Sequence, residues 1–583
     1  MKKLLKYLKE YRLESFLGPL FKLLEASFEL MVPLVMAKVI DVGIKTQDLP
    51  YILKMGGILV LLGVVGLVCS ITAQYFAAKA AAGFGTARRN DLFSHIGSLS
   101  YAELDKAGTA TLITRMTSDA NQVQSGVNLF LRLFLRSPFI VFGAMAMAFT
   151  IDVKAALIFV VVIPVLSVVV FGIMLISMPL YKKVQRQLDR VLLTARENLS
   201  GVRVIRAFNR QEDEGRRFDE ENGELVKIQV FVGKISSLLN PLTYVIINLG
   251  IIVLIQTGAK EVNRGIITQG EVVALVNYMS QILVELVKLA NLIITISKAL
   301  ACANRISAVF EQKPGITEKN HTCLEAGEGA PAVEFKDMTF TYDGAREPAL
   351  SNISFSVTRG QTVGIIGGTG SGKSTLVNLI PRFYDATEGG VSVDGHDVRE
   401  YPLDQLRGKT GIVPQKAVLF HGTLRENMQW GKKNATDDEI YEALKTAQAL
   451  EFVEEKDEGL ELYIQAGGKN LSGGQRQRLT IARALVRKPE ILIMDDSASA
   501  LDFATDARLR KAIKERTQDM TVFIVSQRAT TIRNADQIVV LDDGAMVGCG
   551  NHKELFENCE IYREICLSQL SKEEVRLDEY EKA

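Results

Sequence analysis

The stretch Thr362-Val363-Gly364-Ile365-Ile366, then Gly367-Gly368-Thr369-Gly370-Ser371-Gly372-Lys373-Ser374, then Thr375-Leu376-Val377-Asn378-Leu379-Ile380, decides the fold of the second half of this chain. The first run reads as a buried strand and the last as a helix. The eight residues between them match G-x-x-x-x-G-K-[ST] in the strand-to-helix setting that pattern requires. Its glycines let successive backbone N–H groups curl around a polyphosphate, and the helix start adds its positive dipole end. Lys373 is expected on the β- and γ-phosphates and the Ser374 hydroxyl on Mg²⁺. A second apolar run, Ile491–Met494, ends in Asp495-Asp496. An acidic side chain at the C-terminal edge of a parallel sheet, beside a phosphate loop, is where an oxygen partner of the metal belongs, so Asp495 joins Ser374 in the expected metal set.

Working outward, short β-rich runs (Ala332–Phe335, Ile353–Val357, Thr521–Val525, Gln537–Leu541) alternate with helical patterns. Thr436-Asp437-Asp438-Glu439 is a capping box ahead of one of those helices. Residues 332–583 are therefore expected to form an α/β domain. Before it, residues 311–331 hold proline, glycine and charge without apolar periodicity, the mark of a linker.

Residues 1–310 read differently. Ala155–Met178 and Ile235–Gly258 contain no charged side chain, Met55–Ala78 is nearly as apolar, and Phe16–Ile40, Asn128–Thr150 and Glu271–Ser297 carry a few charges each. Each is long enough to cross ~30 Å of hydrocarbon, which predicts a six-helix all-α transmembrane domain. The intervening long connections, near Lys79–Gly126 and Pro179–Lys234, are mostly helix-forming, and the second is basic between Tyr181 and Arg217. By the positive-inside rule both loops and both termini fall in the cytoplasm, and the basic, apolar start Met1–Lys9 reads as a short helix on an anionic membrane surface. Inside the last span Glu285 and Lys288 stand at i, i+3, close enough to pair. An internal or interhelical ion pair is the favoured reading, ahead of a contact with cargo.

Whole-chain arithmetic agrees with a half-membrane, half-soluble chain. The 583 residues have 48% hydrophobic content and a formal charge of +1, which conceals a basic first part and an acidic second part. Disorder and collagen-like repetition are excluded, and the charge gives no support to a nucleic-acid partner. Six scattered cysteines without a C-x-x-C pair read as free thiols, and none of the five histidines pairs with cysteine at a zinc spacing.

Over nearly its whole length the sequence resembles an ABC transporter half-molecule of the exporter type. Leu471-Ser472-Gly473-Gly474-Gln475 resembles the signature motif, which in that family caps ATP held by the opposite subunit. Gln415, in Val413-Pro414-Gln415, resembles the glutamine that senses metal and transport domain, and Tyr342 the aromatic that stacks on adenine. Ser499-Ala500-Leu501-Asp502 resembles the loop through which two ATP sites touch, and Gly108–Asp119 and Glu197–Phe218 resemble coupling segments. The resemblance implies nucleotide contacts at Tyr342, Gly367, Gly368, Thr369, Gly370, Ser371, Gly372, Lys373, Ser374, Thr375 and Gln415, with ATP and Mg²⁺ as cofactors and Gln415 added to the metal set.

Three departures qualify that resemblance. Hydrolytic members carry glutamate where Asp496 stands, and Asp496 is one carbon shorter, withdrawing its carboxylate by ~1.5 Å. Misplacing a catalytic group by about 1 Å costs on the order of 10²-fold. Gln527, in Ser526-Gln527-Arg528, occupies the place of the switch histidine, and its amide cannot become cationic or shuttle a proton. Ala466 stands where many exporters have glutamate. Asp496 and Gln527 are thus the two degenerate catalytic positions. The implied protein is the degenerate-site half of a heterodimeric exporter in a bacterial plasma membrane, with a second half-transporter, the lipid bilayer and a small amphipathic cargo as partners. Peptide, lipid or siderophore transport, an importer, and a channel-like regulatory subunit are the alternatives.

Overall fold

In a computed structural model the described residues are 6–318, 323–327, 329–497, 500–516 and 519–569. The chain divides into two compact units, one of residues 1–97 and 109–312, the other of residues 98–108 and 313–583.

The first unit is helical. Among the described residues, five helices are long and apolar enough to cross a membrane: Leu49–Ser98, Thr109–Ile151, Val153–Ser200, Gln211–Asn263 and Gln269–Glu311. The helix Arg12–Lys38, which covers the first of the six expected spans, is not among these five. It carries Lys22, Glu25 and Glu29 along its length, together with Pro19 and Pro33. At 43 to 53 residues and ~1.5 Å per residue, the five extend well beyond the hydrocarbon thickness, so the long connections are continuations of the helices. Small residues are part of the interior: Ala26, Ala73, Ala77, Ala144, Ala155 and Ala274 are fully buried, letting helix backbones approach closely, and Phe159, Leu166 and Met279 pack among them. Val60, Leu61, Val64, Leu67 and Ile71 stay exposed, as a lipid-facing surface requires. Of the expected amphipathic start, Met1–Leu5 lie outside the described residues, and Lys6–Lys9 form a single 3₁₀ turn.

Glu285 does pair with Lys288 (2.9 Å), but that is the lesser part of its environment. Its carboxylate also accepts from Arg136 (2.7 Å) and from the Ser137 hydroxyl (2.8 Å), and Arg136 reaches on to Glu29 (2.6 Å). Glu285 and Arg136 are buried, so each satisfies a charge the other could not leave bare in an apolar surrounding.

The second unit is an α/β domain around a ten-stranded sheet. Five neighbouring strands, Gln537–Asp542, Thr362–Gly367, Thr521–Val525, Ile491–Asp495 and Thr410–Val413, run parallel in that order across it. Their near-continuous apolar sequences are those of strands covered on both faces. Antiparallel strands Val333–Phe340, Leu350–Val357 and Glu388–Val393 extend the other edge. The capping box at Thr436 is formed: its hydroxyl accepts from the Glu439 N–H and the Glu439 carboxylate accepts from the Thr436 N–H. Residues 98–108 belong to this unit and lead directly into the segment Gly108–Asp119: Tyr101 packs on Phe383 (4.5 Å between ring centroids), and the Tyr384 hydroxyl donates to Asp105 (2.9 Å).

Removing one partner of a buried ion pair costs about 3–5 kcal/mol. Glu285→Ala, which strands Arg136, is expected to lower the thermal unfolding midpoint and the monodisperse yield of the detergent-solubilised protein far more than Lys288→Ala, whose ammonium is half exposed. Equal losses from the two changes would show that the i, i+3 pair, and not Arg136, holds Glu285.

Candidate nucleotide site

A parallel sheet sends every strand's C-terminus to one edge, and that rule assembles the site. Thr362–Gly367 runs into the glycine loop, Ile491–Asp495 into Asp496, Thr521–Val525 into Gln527, and Thr410–Val413 into Gln415. The four strands are neighbours, and together with Tyr342 their loops line one cleft of about 270 Å³.

The glycine loop closes where only glycine fits. Gly372 has φ +92°, and a Cβ there would meet the Ala349 carbonyl oxygen at 2.9 Å. Lys373 starts the helix Lys373–Leu379 and turns its ammonium back over the loop, donating to the carbonyls of Gly367 (2.9 Å) and Gly368 (2.5 Å). Burial lowers its pKa, and the carboxylates of Asp496 and Asp495 oppose that shift. These carbonyl bonds are exchangeable for phosphate oxygens, which match an ammonium better.

The Ser374 hydroxyl donates to Asp495 (2.9 Å), and Gln415 Nε2 donates to Asp496 (3.4 Å). Burial raises the pKa of both acids. For Asp495 the Asp496 charge adds to that rise while Ser374 and Lys373 oppose it. For Asp496, Gln415, Lys373 and Arg528 oppose it. Two half-desolvated carboxylates side by side, with a hydroxyl and an amide oxygen, form an all-oxygen donor set deficient in positive charge, which fits Mg²⁺. Asp496 is held in the left-handed region (φ +46°) with its N–H on the Val525 carbonyl (3.0 Å), so its short side chain leaves from a fixed point.

Tyr342 stands across the cleft, its hydroxyl 2.9 Å from Thr375 Oγ1, and its ring is braced edge-on by Phe340 and Tyr384. It is partly exposed, leaving ring surface for a stacking partner.

Gln527 lines the cleft, and its backbone is clamped in a way no sequence motif signals. Gln569, 42 residues on, donates its amide to the Gln527 carbonyl (2.8 Å) and accepts from the Ala529 N–H (2.8 Å). A single glutamine at the end of the helix Glu560–Gln569 thereby fixes the loop, a contact that only the folded chain brings about.

Leu471–Gln475 are absent from the cleft lining. Ser472 instead caps the helix Gly473–Leu485 in a reciprocal box with Gln475, while around Gly473 there is open space. Of the loop that follows Asp496, Ser499 lies outside the described residues. Leu501 is buried, and Asp502 accepts from the Thr505 N–H (2.8 Å).

Comparison with known proteins agrees with this architecture. A family model described as the ABC transporter transmembrane region matches residues 15–286, and one described as ABC transporter matches residues 350–499. An ABC transporter ATP-binding protein of Bacillus subtilis, YfiB, is 36% identical over 98% of this chain and 99% of its own length. An ATP-dependent lipid A-core flippase of Desulfotalea psychrophila is 35% identical over 80% of this chain and 82% of its own. A putative multidrug export ATP-binding/permease protein of Bacillus subtilis, YgaD, is 32% identical over 97% and 98%. The solved structure of a bacterial Atm1-family ABC exporter with ATP bound covers 96% of this chain and 99% of its own, with a TM-score of 0.79 at 23% identity, a likeness of fold. With a helical membrane unit, a phosphate-loop α/β unit and relatives matched end to end, the chain belongs to the ABC transporter family, as an exporter-type half-molecule that joins one transmembrane region to one ATPase domain.

Proposed function

We propose that this chain is one half of a heterodimeric exporter of small amphipathic compounds, that its own phosphate-loop site binds MgATP and hydrolyses it poorly, and that its signature completes a competent site on a partner. The observation that carries the reading is the pair Asp496 and Gln527 on the wall of an otherwise equipped cleft. Tyr342 takes adenine, the loop from Gly367 to Thr375 takes the phosphates, and Ser374, Asp495 and Gln415 hold Mg²⁺, which when bound neutralises charge on the terminal phosphates. Asp496 leaves from a fixed backbone point, is one methylene short of the attacking water, and is already engaged by Gln415. Gln527 offers an amide to the γ-phosphate and no proton relay.

A second half is supported by two apolar faces that stand exposed in this chain. Leu199, at the end of Val153–Ser200, and Val204 and Phe208, in the connection after it, are exposed, as are Val418, Phe420 and Trp430 of the α/β unit. Large apolar side chains gathered this way mark interaction surfaces. The signature, outside this chain's own cleft and with open space around Gly473, fits a role on a partner's ATP. Six spans with both termini in the cytoplasm, in a bacterial plasma membrane, follow from the basic loops; on this reading Arg12–Lys38 is the first span, its charges turned inward. An amphipathic cargo accords with what the relatives' names say of those proteins, lipid A-core flipping and multidrug export.

The chain purified alone is expected to bind MgATP and turn it over slowly. Vigorous, cooperative hydrolysis by the homodimer would end the degenerate-site reading. In the assembled heterodimer, Asp496→Glu together with Gln527→His restores both reach and the γ-phosphate contact. Single-turnover measurement with radiolabelled ATP is expected to show hydrolysis at this site rising on the order of 10²-fold.

The head-to-tail arrangement has its own test. Lys373→Ala is expected to weaken ATP binding at this chain's site alone. Ser472→Arg places a long cation at the capping hydroxyl and is expected to abolish turnover at the partner's site while leaving photoaffinity labelling of this chain by azido-ATP intact. Unchanged turnover and transport in the Ser472→Arg heterodimer would refute the assignment. Uptake into sealed inverted vesicles settles direction: export from the cell appears there as accumulation, and an importer gives none.

A further inference from the structure

The helices Arg12–Lys38 and Gln269–Glu311 line an open cavity of about 430 Å³ whose wall includes Glu29, Asn277, Gln281, Glu285 and Lys288. Polar groups at membrane depth usually serve a partner or a wet pathway, and here the two roles separate. Glu285 is sealed, 3% exposed, with Arg136, Ser137 and Lys288 taking its oxygens. The outer members of the network are open instead: the Glu29 side chain is 39% exposed and that of Lys288 47%. Lys288 donates to Glu285, which engages one of three N–H groups. Gln281 Oε1 is buried with no hydrogen-bond partner. Pro33, on the same wall, removes the N–H that the Glu29 carbonyl would otherwise receive in the helix.

The four charges of the network, Glu29, Arg136, Glu285 and Lys288, sum to zero. The next charges along the first helix, Lys22 and Glu25, pair with each other (2.5 Å). A singly charged guest would therefore bring an uncompensated charge into a neutral wall of low dielectric. A head group carrying both signs brings none, and the wall offers acceptors (Glu29, Gln281) for its cation and a donor (Lys288) for its anion. We propose that this cavity is a binding site for the head group of a zwitterionic amphiphile, with Glu29 and Gln281 taking the ammonium and Lys288 the anion. This deepens the export reading above and rests on it for the cargo role, while the binding chemistry stands on the cavity.

The test uses the full-length chain in nanodiscs and three probes sharing an octyl tail, with phosphoethanolamine, phosphate or amine heads, titrated calorimetrically. The wild type is expected to bind the phosphoethanolamine probe at least tenfold tighter than either singly charged one. Lys288→Met leaves the wall negative, and its preference is expected to move to octylamine. Glu29→Gln leaves it positive, and its preference is expected to move to octyl phosphate. Shifts of opposite sign are something a purely structural pair would not produce. Equal affinity for the three probes, no binding, a wild-type preference for a singly charged head, or shifts in the same direction each overturn the proposal. The wild-type ranking needs no variant to fold, so it decides the head-group class by itself. Vesicle transport of amphiphiles by the assembled heterodimer is scored separately. If no amphiphile moves, the export reading falls while the titration still decides the site; if amphiphiles move and none of the three probes binds, only the site falls.

Discussion

Everything at the nucleotide cleft depends on one register. Val525 lies opposite Ile365 on one side and Asp495 on the other, and Met494 lies opposite Val413. With those pairings fixed, the glycine loop, the Asp495-Asp496 turn, Gln415 and Gln527 leave the sheet side by side. Ser374 then reaches Asp495, and Gln415 reaches Asp496, without any loop having to search for its neighbour. A slip of one residue would turn each strand's alternate side chains to the opposite layer, and both layers are packed. The apolar packing above and below the sheet is thus what sets the chemistry at its edge. It also desolvates that edge, which is why burial is the leading cause of the displaced pKa values of Lys373, Asp495 and Asp496 alike.

That dependence explains how much was legible beforehand. The glycine loop, the double aspartate, the signature and the alternation of strand and helix are local patterns with a period or a spacing, and the sheet places those that belong to one edge as a strand-by-strand reading expects. Contacts between distant side chains have no period. Glu285 could be paired with Lys288 because three residues separate them, whereas Arg136 and Ser137 lie about 150 positions away. The Gln569 clamp on the Gln527 loop was equally invisible, since an isolated glutamine near a chain's end resembles any surface residue. That residues 98–108 join the second unit was not legible for a related reason: the aromatic ring of Tyr101 finds Phe383 only in three dimensions.

The two units differ in what their surfaces expose. In the α/β unit the large apolar residues are inside, and its polar groups gather where the strands end. In the helical unit large apolar residues such as Phe159, Leu166 and Met279 are inside together with small ones, a further set of large apolar residues faces outward, and a polar group in the interior has no water to fall back on. It must find protein partners or create a polar pocket. Arg136 meets that demand by holding Glu29 and Glu285 together, with one guanidinium serving two helices.

A network that fully saturated itself would only fasten helices, and an apolar substitute would do that as well or better. This network does not saturate itself. Its centre is closed around Glu285 and its rim is open at Glu29 and Lys288, where Gln281 adds an amide oxygen without a donor and Pro33 withholds the helical N–H from the Glu29 carbonyl. Keeping such groups bare at membrane depth is costly unless something polar occupies the space. The nucleotide cleft is polar in the same way: burial raises the pKa of Asp495 and Asp496, and the Lys373 ammonium opposes that rise at both. In each unit charged and polar side chains are brought together along one wall of a cavity, and that concentration, more than any single residue, is what distinguishes a place built to receive a ligand from a well-packed interior.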